Sequence, residues 1–308
     1  ENKVYYAANG VLYKYDETLT DTPTLLMLYP MAKEGASFTI PNGVTTINQY
    51  AFTGQNNLQS VNLNSVVIVG DHAFTNCINL KTATMSSVRT IEKQAFYNCS
   101  SLSSVNLSQV DTIGDQAFYG CASLTEVSLN GIEKIGRQAF VYCNNIKAFT
   151  VSNSSNYFSD AAGVLFEADE NNKKLLQYPA GKTSTSYTLS DVTVNSIEPY
   201  AFYGASNLSE IILSDSLVTI GEHAFDGCTS IKTVYIGASV KSIGTRAFYD
   251  CLSLESIYVS LSNAYYYADQ NGVLYKFARN ENDELILGSD GSMSVDTLVC
   301  YPAAVQRN

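Results

Sequence analysis

The chain has 308 residues, 45% of them hydrophobic, and a formal net charge of −11 with no run of five basic residues. That balance excludes a nucleic-acid backbone or an anionic membrane surface as the main partner. Its longest apolar runs, Val66 to Val69 and Leu25 to Leu28 among them, fall far short of the roughly 20 residues a membrane-spanning helix needs, so a soluble chain without membrane insertion is expected.

The first element in chain order is a hairpin. Asn9-Gly10-Val11-Leu12-Tyr13 is followed by a polar stretch and an apolar strand that runs into Tyr29-Pro30. With the segment from Phe38 that leads on through Val44 and Ile47, it forms an N-terminal capping module over residues 1–41. Residues 42–152 then repeat one phrase five times. The Ala-Phe pair recurs at Ala51-Phe52, Ala73-Phe74, Ala95-Phe96, Ala117-Phe118 and Ala139-Phe140, in steps of 22 residues. A second hairpin module spans 153–191, with Ala162-Gly163-Val164-Leu165-Phe166 and Tyr178-Pro179 at its landmarks and Val194 and Ile197 beyond it. Three more coils follow over 192–260, marked by Ala201-Phe202, Ala224-Phe225 and Ala247-Phe248 in steps of 23. Asn271-Gly272-Val273-Leu274-Tyr275 and Tyr301-Pro302 define a third module over 261–308.

Around each Ala-Phe pair the pattern is I-x-x-x-A-F-x-x-C-x-x-L-x-x-V-x-L-x-x-V-x-x-I, with Gln55 and Ala205 in place of the cysteine in the first coil of each group. Ile113, Ala117, Phe118 and Cys121 fall at i, i+4, i+5 and i+8, which predicts one face of a short helical turn. Val127 and Leu129 alternate as a strand does. A unit of about 22 residues cannot bury its own apolar side, and stacking against its neighbours solves this. The expected fold is therefore a repeat solenoid: one continuous spiral with a parallel β-sheet on one face, short helical turns opposite, and three β-hairpin modules. The phenylalanines should form an aromatic spine. The first four cysteines, Cys77, Cys99, Cys121 and Cys143, lie 22 apart and with Cys228 and Cys251 read as a buried column of thiols.

Strands of the form L-x-x-V-x-L preceded by I-G-x-x-A-F-x-x-C-x-x-L resemble the BspA-type leucine-rich repeats of bacteria, a class also found in some protist surface proteins. The likeness covers about two thirds of the chain and is specific, because ordinary leucine-rich repeats place their Asn or Cys after the strand. It implies a right-handed coil whose parallel sheet lines a curved inner face. The G-V-L-Y and Y-P modules are also similar to those that accompany such repeats. The resemblance further implies an extracellular or bacterial cell-surface protein that adheres to host matrix proteins or to other surface proteins. The chain begins at Glu1 rather than Met, so any targeting peptide is expected to have been trimmed, and localisation is inferred only indirectly.

No catalytic constellation is expected, nor a cofactor or a metal. The two histidines, His72 and His223, lie in coils separated by others and by the middle module, and read as exposed turn residues. A His72–Cys77 pair lacks a third orienting group. Pro179 to Ser184, PAGKTS, lacks the first glycine of a phosphate loop and leads into no helix. The acidic tips at Asp169 to Asn172 and Asn280 to Glu284 lack the alternating oxygen ligands of a calcium loop and read as solvated turns.

Recognition is left to the outward positions of the strands. In the first group these are Asn62, Thr84, Asn106, Ser128 and Thr150, a polar ladder that could hydrogen-bond along itself or to a ligand such as a glycan. In the second they are Ile212, Tyr235 and Tyr258, with Tyr265, Tyr266 and Tyr267 close behind: an apolar and aromatic column that reads either as a surface for a protein ligand or as a self-packed tyrosine ladder or a patch covered by the last hairpin. A non-catalytic adhesion protein is the first reading, and a carbohydrate-binding accessory protein of a bacterial envelope is the alternative.

Overall fold

The computed structural model of the chain describes residues 4–15, 23–152, 154, 156–159, 162–169, 172–189, 194–290 and 292–304. Two compact units are present, residues 1–165 and 166–308, so the border falls inside the middle module.

In the first unit each coil contributes two strands, not the single strand expected from sequence. One row holds the V-x-L segments: Ser37–Thr39, Ser60–Asn62, Thr82–Thr84 and Ser104–Val105 form one parallel sheet, and Glu126–Ser128 pairs with Ala148–Thr150. A second row holds the two-residue strands that end in the motif's last isoleucine or valine. Thr46–Ile47, Ile68–Val69, Thr90–Ile91, Thr112–Ile113 and Lys134–Ile135 pair in parallel, and the row begins on Pro23–Leu28 of the first module. The second unit repeats the plan. Ser186–Thr188, Glu210–Ile212, Thr233–Ile236 and Ser256–Val259 form its first row, and Asn172–Gln177, Val194–Ile197, Thr219–Ile220 and Ser242–Ile243 its second.

The Ala-Phe segment is not helical, and no helix occurs among the described residues. Its backbone N–H groups alternate between two kinds of acceptor. Ala117, Tyr119 and Cys121 donate to the carbonyls three residues back, while Gln116, Phe118 and Gly120 donate to Arg137, Ala139 and Val141 of the next coil. An α-helix would keep all these bonds to itself. Instead every fourth residue turns to positive φ, Gln116 at 56° and Gly120 at 73°. The predicted apolar positions are buried as expected, but through a staircase of turns that hydrogen-bonds to its neighbour.

Between coils, side chains of one type stack on their own kind. The rings of Phe52, Phe74, Phe96, Phe118 and Phe140 follow one another with centroids 4.6, 5.0, 5.4 and 5.5 Å apart. Phe202, Phe225 and Phe248 do the same at 4.9 and 5.3 Å. Both columns start on a tyrosine of a Tyr-Pro pair: Tyr29 stacks on Phe52 at 4.8 Å and Tyr178 on Phe202 at 5.0 Å. Burying one such ring stabilises the fold by about 1.5–3 kcal/mol.

The six repeat cysteines are buried as expected, in one column in each unit, and each of these thiols has a partner. Sγ of Cys77, Cys99, Cys121 and Cys143 donates to the carbonyl of Phe52, Phe74, Phe96 and Phe118, at 3.0 to 3.2 Å. Cys228 and Cys251 donate to Phe202 and Phe225 in the same way. Gln55, fully buried, takes the cysteine's role in the first coil by donating Nε2 to the Pro30 carbonyl at 2.9 Å.

The first and third modules have three antiparallel strands rather than the two of a simple hairpin. They are Tyr5–Ala8, Val11–Tyr15 and Pro23–Leu28 in the first, and Tyr266–Ala268, Leu274–Phe277 and Val295–Cys300 in the third. The coils of each unit end against a module tyrosine: Ile135 N–H donates to the Tyr157 hydroxyl and Ile243 N–H to the Tyr266 hydroxyl, at 2.9 and 3.0 Å. A backbone donor at the end of a second row thereby finds an acceptor where the sheet stops.

Candidate binding surface

The first row of the second unit presents Thr188, Ile212, Tyr235 and Tyr258 in strict register, because parallel pairing without a bulge keeps equivalent residues on one face. Ile212 is 40% exposed, Tyr235 37% and Tyr258 52%. Large apolar groups side by side in water are uncommon on a soluble surface unless they have a use. The two tyrosine rings stack with centroids 5.1 Å apart and planes 15° from parallel.

These side chains form one wall of an open groove of about 520 Å³, rimmed by Thr188, Ser214, Asp215, Gly237 and Ser260. The rim comes from the longer step of the second group. Three residues, Ser214 to Ser216, separate Leu213 from Leu217, where two, Ser108 and Gln109, separate Leu107 from Val110 in the first group. The same extra residue appears as Gly237 to Ser239. The loops hold themselves in place: Asp215 Oδ1 accepts from Ala238 N–H at 2.9 Å, and Ser214 Oγ accepts from Ser216 N–H at 3.2 Å. Buried Asn263 donates Nδ2 to the Gly237 carbonyl at 2.8 Å and accepts the Tyr265 and Tyr266 N–H groups at its Oδ1. Sequence reasoning singled out the column but not Ser214, Asp215 and Gly237; the change of step from 22 to 23 is the signal that could have found them.

Tyr265, Tyr266 and Tyr267 do not prolong this column. Tyr266 is buried at the end of the second row, Tyr267 stacks on Tyr275 and Phe277 at 5.2 and 5.1 Å, and Tyr265 lies under the Arg279 guanidinium at 3.9 Å. Their area is spent within the third module and against the last coil.

In the first unit Asn62, Thr84, Asn106, Ser128 and Thr150 are all exposed at the matching position. The side-chain oxygens of the two asparagines are engaged at home: Oδ1 of Asn62 accepts from Asn64 N–H, and Oδ1 of Asn106 from Ser108 N–H, at 3.0 and 3.1 Å. This ladder is polar and carries no large apolar group.

The histidines are half-buried rather than exposed, which corrects the sequence reading. His72 stacks on Tyr50 at 4.7 Å and His223 on Tyr200 at 4.9 Å, each ring lying on the residue one coil earlier. His223 Nδ1 also meets Asp226 Oδ2 at 2.6 Å. Among the described residues no group of three His, Cys, Asp or Glu could hold a metal ion. Asn280 Oδ1 accepts from Asn282 and Glu284 N–H within the tip, and Asp283 Oδ2 accepts from the Tyr265 hydroxyl, so these oxygens serve the third module. Glu170, Asn171 and the side chains of Asp169 and Asn172 lie outside the described residues. No helix is long and apolar enough to cross a membrane among the described residues.

A two-row parallel solenoid with stacked phenylalanine spines and a V-x-L strand in each coil defines the protein as a leucine-rich-repeat protein. The BspA type leucine rich repeat region is matched in six copies over residues 32–147 and 180–271, and the chain belongs to that family. Among solved structures it is similar to a leucine rich cell surface protein from Faecalibacterium prausnitzii, with 22% identity over 83% of this chain and 89% of that one and a TM-score of 0.57. It is also similar to a leucine-rich repeat protein from Eubacterium ventriosum, with 18% identity, 83% and 85% coverage and a TM-score of 0.55. The pneumococcal vaccine antigen PcpA matches with 18% identity, 85% and 83% coverage and a TM-score of 0.55. At these identities the likeness speaks to the fold alone. Among curated proteins no sequence relative is found.

Proposed function

We propose that the protein is a non-catalytic recognition protein of a bacterial surface or its surroundings, and that it binds a protein ligand through the Ile212–Tyr235–Tyr258 groove. The observation that carries this reading is the exposed, stacked tyrosine pair in register with Ile212 along one wall of a groove of about 520 Å³. Tyrosine brings large contact area at small entropic cost, and such residues at the centre of an interface supply most of its energy. The polar rim of Ser214, Asp215 and Ser260 adds the hydrogen-bonding groups that fix orientation. The leucine-rich cell-surface neighbour supports the placement, and a matrix protein or another surface protein is the ligand class this surface suits.

The test is a capture assay on a panel of matrix and surface proteins run beside a glycan array. The double variant Tyr235→Ser, Tyr258→Ser should lose at least about tenfold in affinity for the captured protein while its circular dichroism is unchanged, as loss of two hot-spot residues implies. Unaltered capture by that variant would remove this surface from consideration. Binding confined to glycans, and lost on substituting Asn62 and Thr84, would move the site to the first unit and favour a carbohydrate-binding accessory protein.

A further inference from the structure

The groove of the second unit runs across the strands, and its two ends differ in chemistry. Beside the column of Ile212, Tyr235 and Tyr258 stands a second one, Asp215, Ala238 and Leu261, each three residues further along its coil. Asp215 is exposed, Ala238 is small and half-buried, and Leu261 is fully exposed. The Ile212 end is acidic. Glu210 lies on the same strand face two residues before Ile212, Asp215 lies at the rim, and neither joins an ion pair among the described residues. Lys232, at the foot of the next strand, is taken by Glu255 at 3.7 Å. The Tyr258 end is apolar, with Tyr258 and Leu261 both open to water.

The strands beneath the groove, Glu210–Ile212 and Thr233–Ile236, are paired on both edges, so they offer no sheet edge for strand addition. What the groove offers are side chains. The Tyr235 and Tyr258 hydroxyls join no hydrogen bond among the described residues, and stacking hides the ring faces that the two turn to each other. A fitting ligand must therefore bring backbone carbonyls that are not already satisfied. A polyproline II chain does so, because it has no internal hydrogen bonds, and it is ordered before it binds. Its repeat also matches. Three residues advance it by about 9.3 Å and return a side chain to the same side. The acidic and apolar ends lie two coils apart, about 9.6 Å at the spacing of neighbouring strands.

We infer that the groove holds a proline-rich segment of a partner protein in the polyproline II form, with Arg or Lys at the Glu210 and Asp215 end and a large aliphatic residue three positions on, against Tyr258 and Leu261. The tyrosine hydroxyls donate to carbonyls between those two anchors. The cation answers the unpaired carboxylates, and the three-residue period brings both anchors to the same side of the ligand. The inference rests on the reading of this groove as the ligand surface, and it specifies the chemistry of the ligand.

The experiment titrates the full chain with the capped peptide PPRPPLPP, read by calorimetry. Binding should be saturable and should weaken about fivefold with Asp215→Asn, the size of a part-exposed ion pair. It should weaken about tenfold with the pair Tyr258→Ser, Leu261→Ser, as loss of the apolar anchor implies. These variants spare the fold, since Asn keeps the Oδ1 that accepts from Ala238 N–H, and Tyr258 and Leu261 are exposed. Three altered peptides should each bind about tenfold more weakly: PPEPPLPP with the charge reversed, PPRPLPPP with the leucine one place early, and the flexible GSRGSLGS. No saturable binding of PPRPPLPP up to about 1 mM would overturn the inference. So would equal binding of any altered peptide, or an affinity indifferent to Asp215→Asn. Capture of a matrix or surface protein that depends on Tyr235 and Tyr258, with no peptide bound, would overturn it too while leaving the groove as the ligand surface.

Discussion

The thiol of Cys121 donates to the carbonyl oxygen of Phe96, 3.2 Å away and one coil back. That carbonyl already accepts the backbone N–H of Cys99 within its own coil. A carbonyl has two lone pairs, and here the second is filled by a sulfur supplied by the next coil. The relation recurs along both cysteine columns, so a weak donor is placed wherever two coils must be held in step.

The aromatic spine should be sensitive to a single deletion. Phe118 is fully buried between Phe96 and Phe140, at 5.4 and 5.5 Å. Phe118→Ala is expected to cost about 3–5 kcal/mol, because flanking coils pinned by backbone hydrogen bonds cannot collapse into the void. Urea unfolding of the variant gives the value directly, and a midpoint equal to the parent's would contradict it.

Alkaline pH should loosen the fold through the thiols. Burial pushes Cys143 and Cys228 up to about 12 from an ordinary value near 9. Below the ordinary value the folded and unfolded chains both hold these protons, and the thiols' contribution is at its full value. Between about pH 9 and 12 only the unfolded chain releases them, so stability falls with rising pH by up to about 1.4 kcal/mol per unit for each thiol. A thermal melt series across that window should show the decline, and the pair Cys143→Ala, Cys228→Ala should flatten part of it; identical slopes for parent and variant would count against the mechanism.

Two module glycines should respond differently to the same change. Gly10 and Gly272 both have positive φ, 77° and 73°. A Cβ on Gly10 would meet nothing within 4 Å, whereas on Gly272 it would lie 2.6 Å from Ser256 Cα in the last coil. Gly10→Ala therefore carries only the left-handed strain of about 1–2 kcal/mol. Gly272→Ala carries that and a backbone clash, which also pushes the Ile257 N–H away from the Gly272 carbonyl it bonds at 3.2 Å. Comparative melts should rank Gly272→Ala clearly lower.

Much of this was legible in the sequence because a solenoid is one problem solved repeatedly. Any coil that must bury its apolar side on its neighbours repeats its contacts, so the spacing of Phe118, Cys121 and Val127 named the buried columns, and Ile212, Tyr235 and Tyr258 came out as an exposed register. What the spacing misjudged was conformation. The i, i+4, i+5, i+8 pattern around Ala117 fits a helix and fits the observed turns equally, since both put those residues inside; the choice was made by Phe118 N–H finding the Ala139 carbonyl of the next coil. The second row of strands escaped notice because two residues, as in Thr112–Ile113, are too few to show a period.

By itself the sequence determined the repeat, its burial pattern and its family, since hydrophobic spacing is written residue by residue. Only the tertiary structure decided the rest: that Tyr29 and Tyr178 begin the phenylalanine spines, and that the extra residue at Ser214 to Ser216 builds a groove beside the tyrosines. Those facts depend on which coil lies against which, and hydrogen bonds and contacts between segments more than 20 residues apart leave no local mark on the chain.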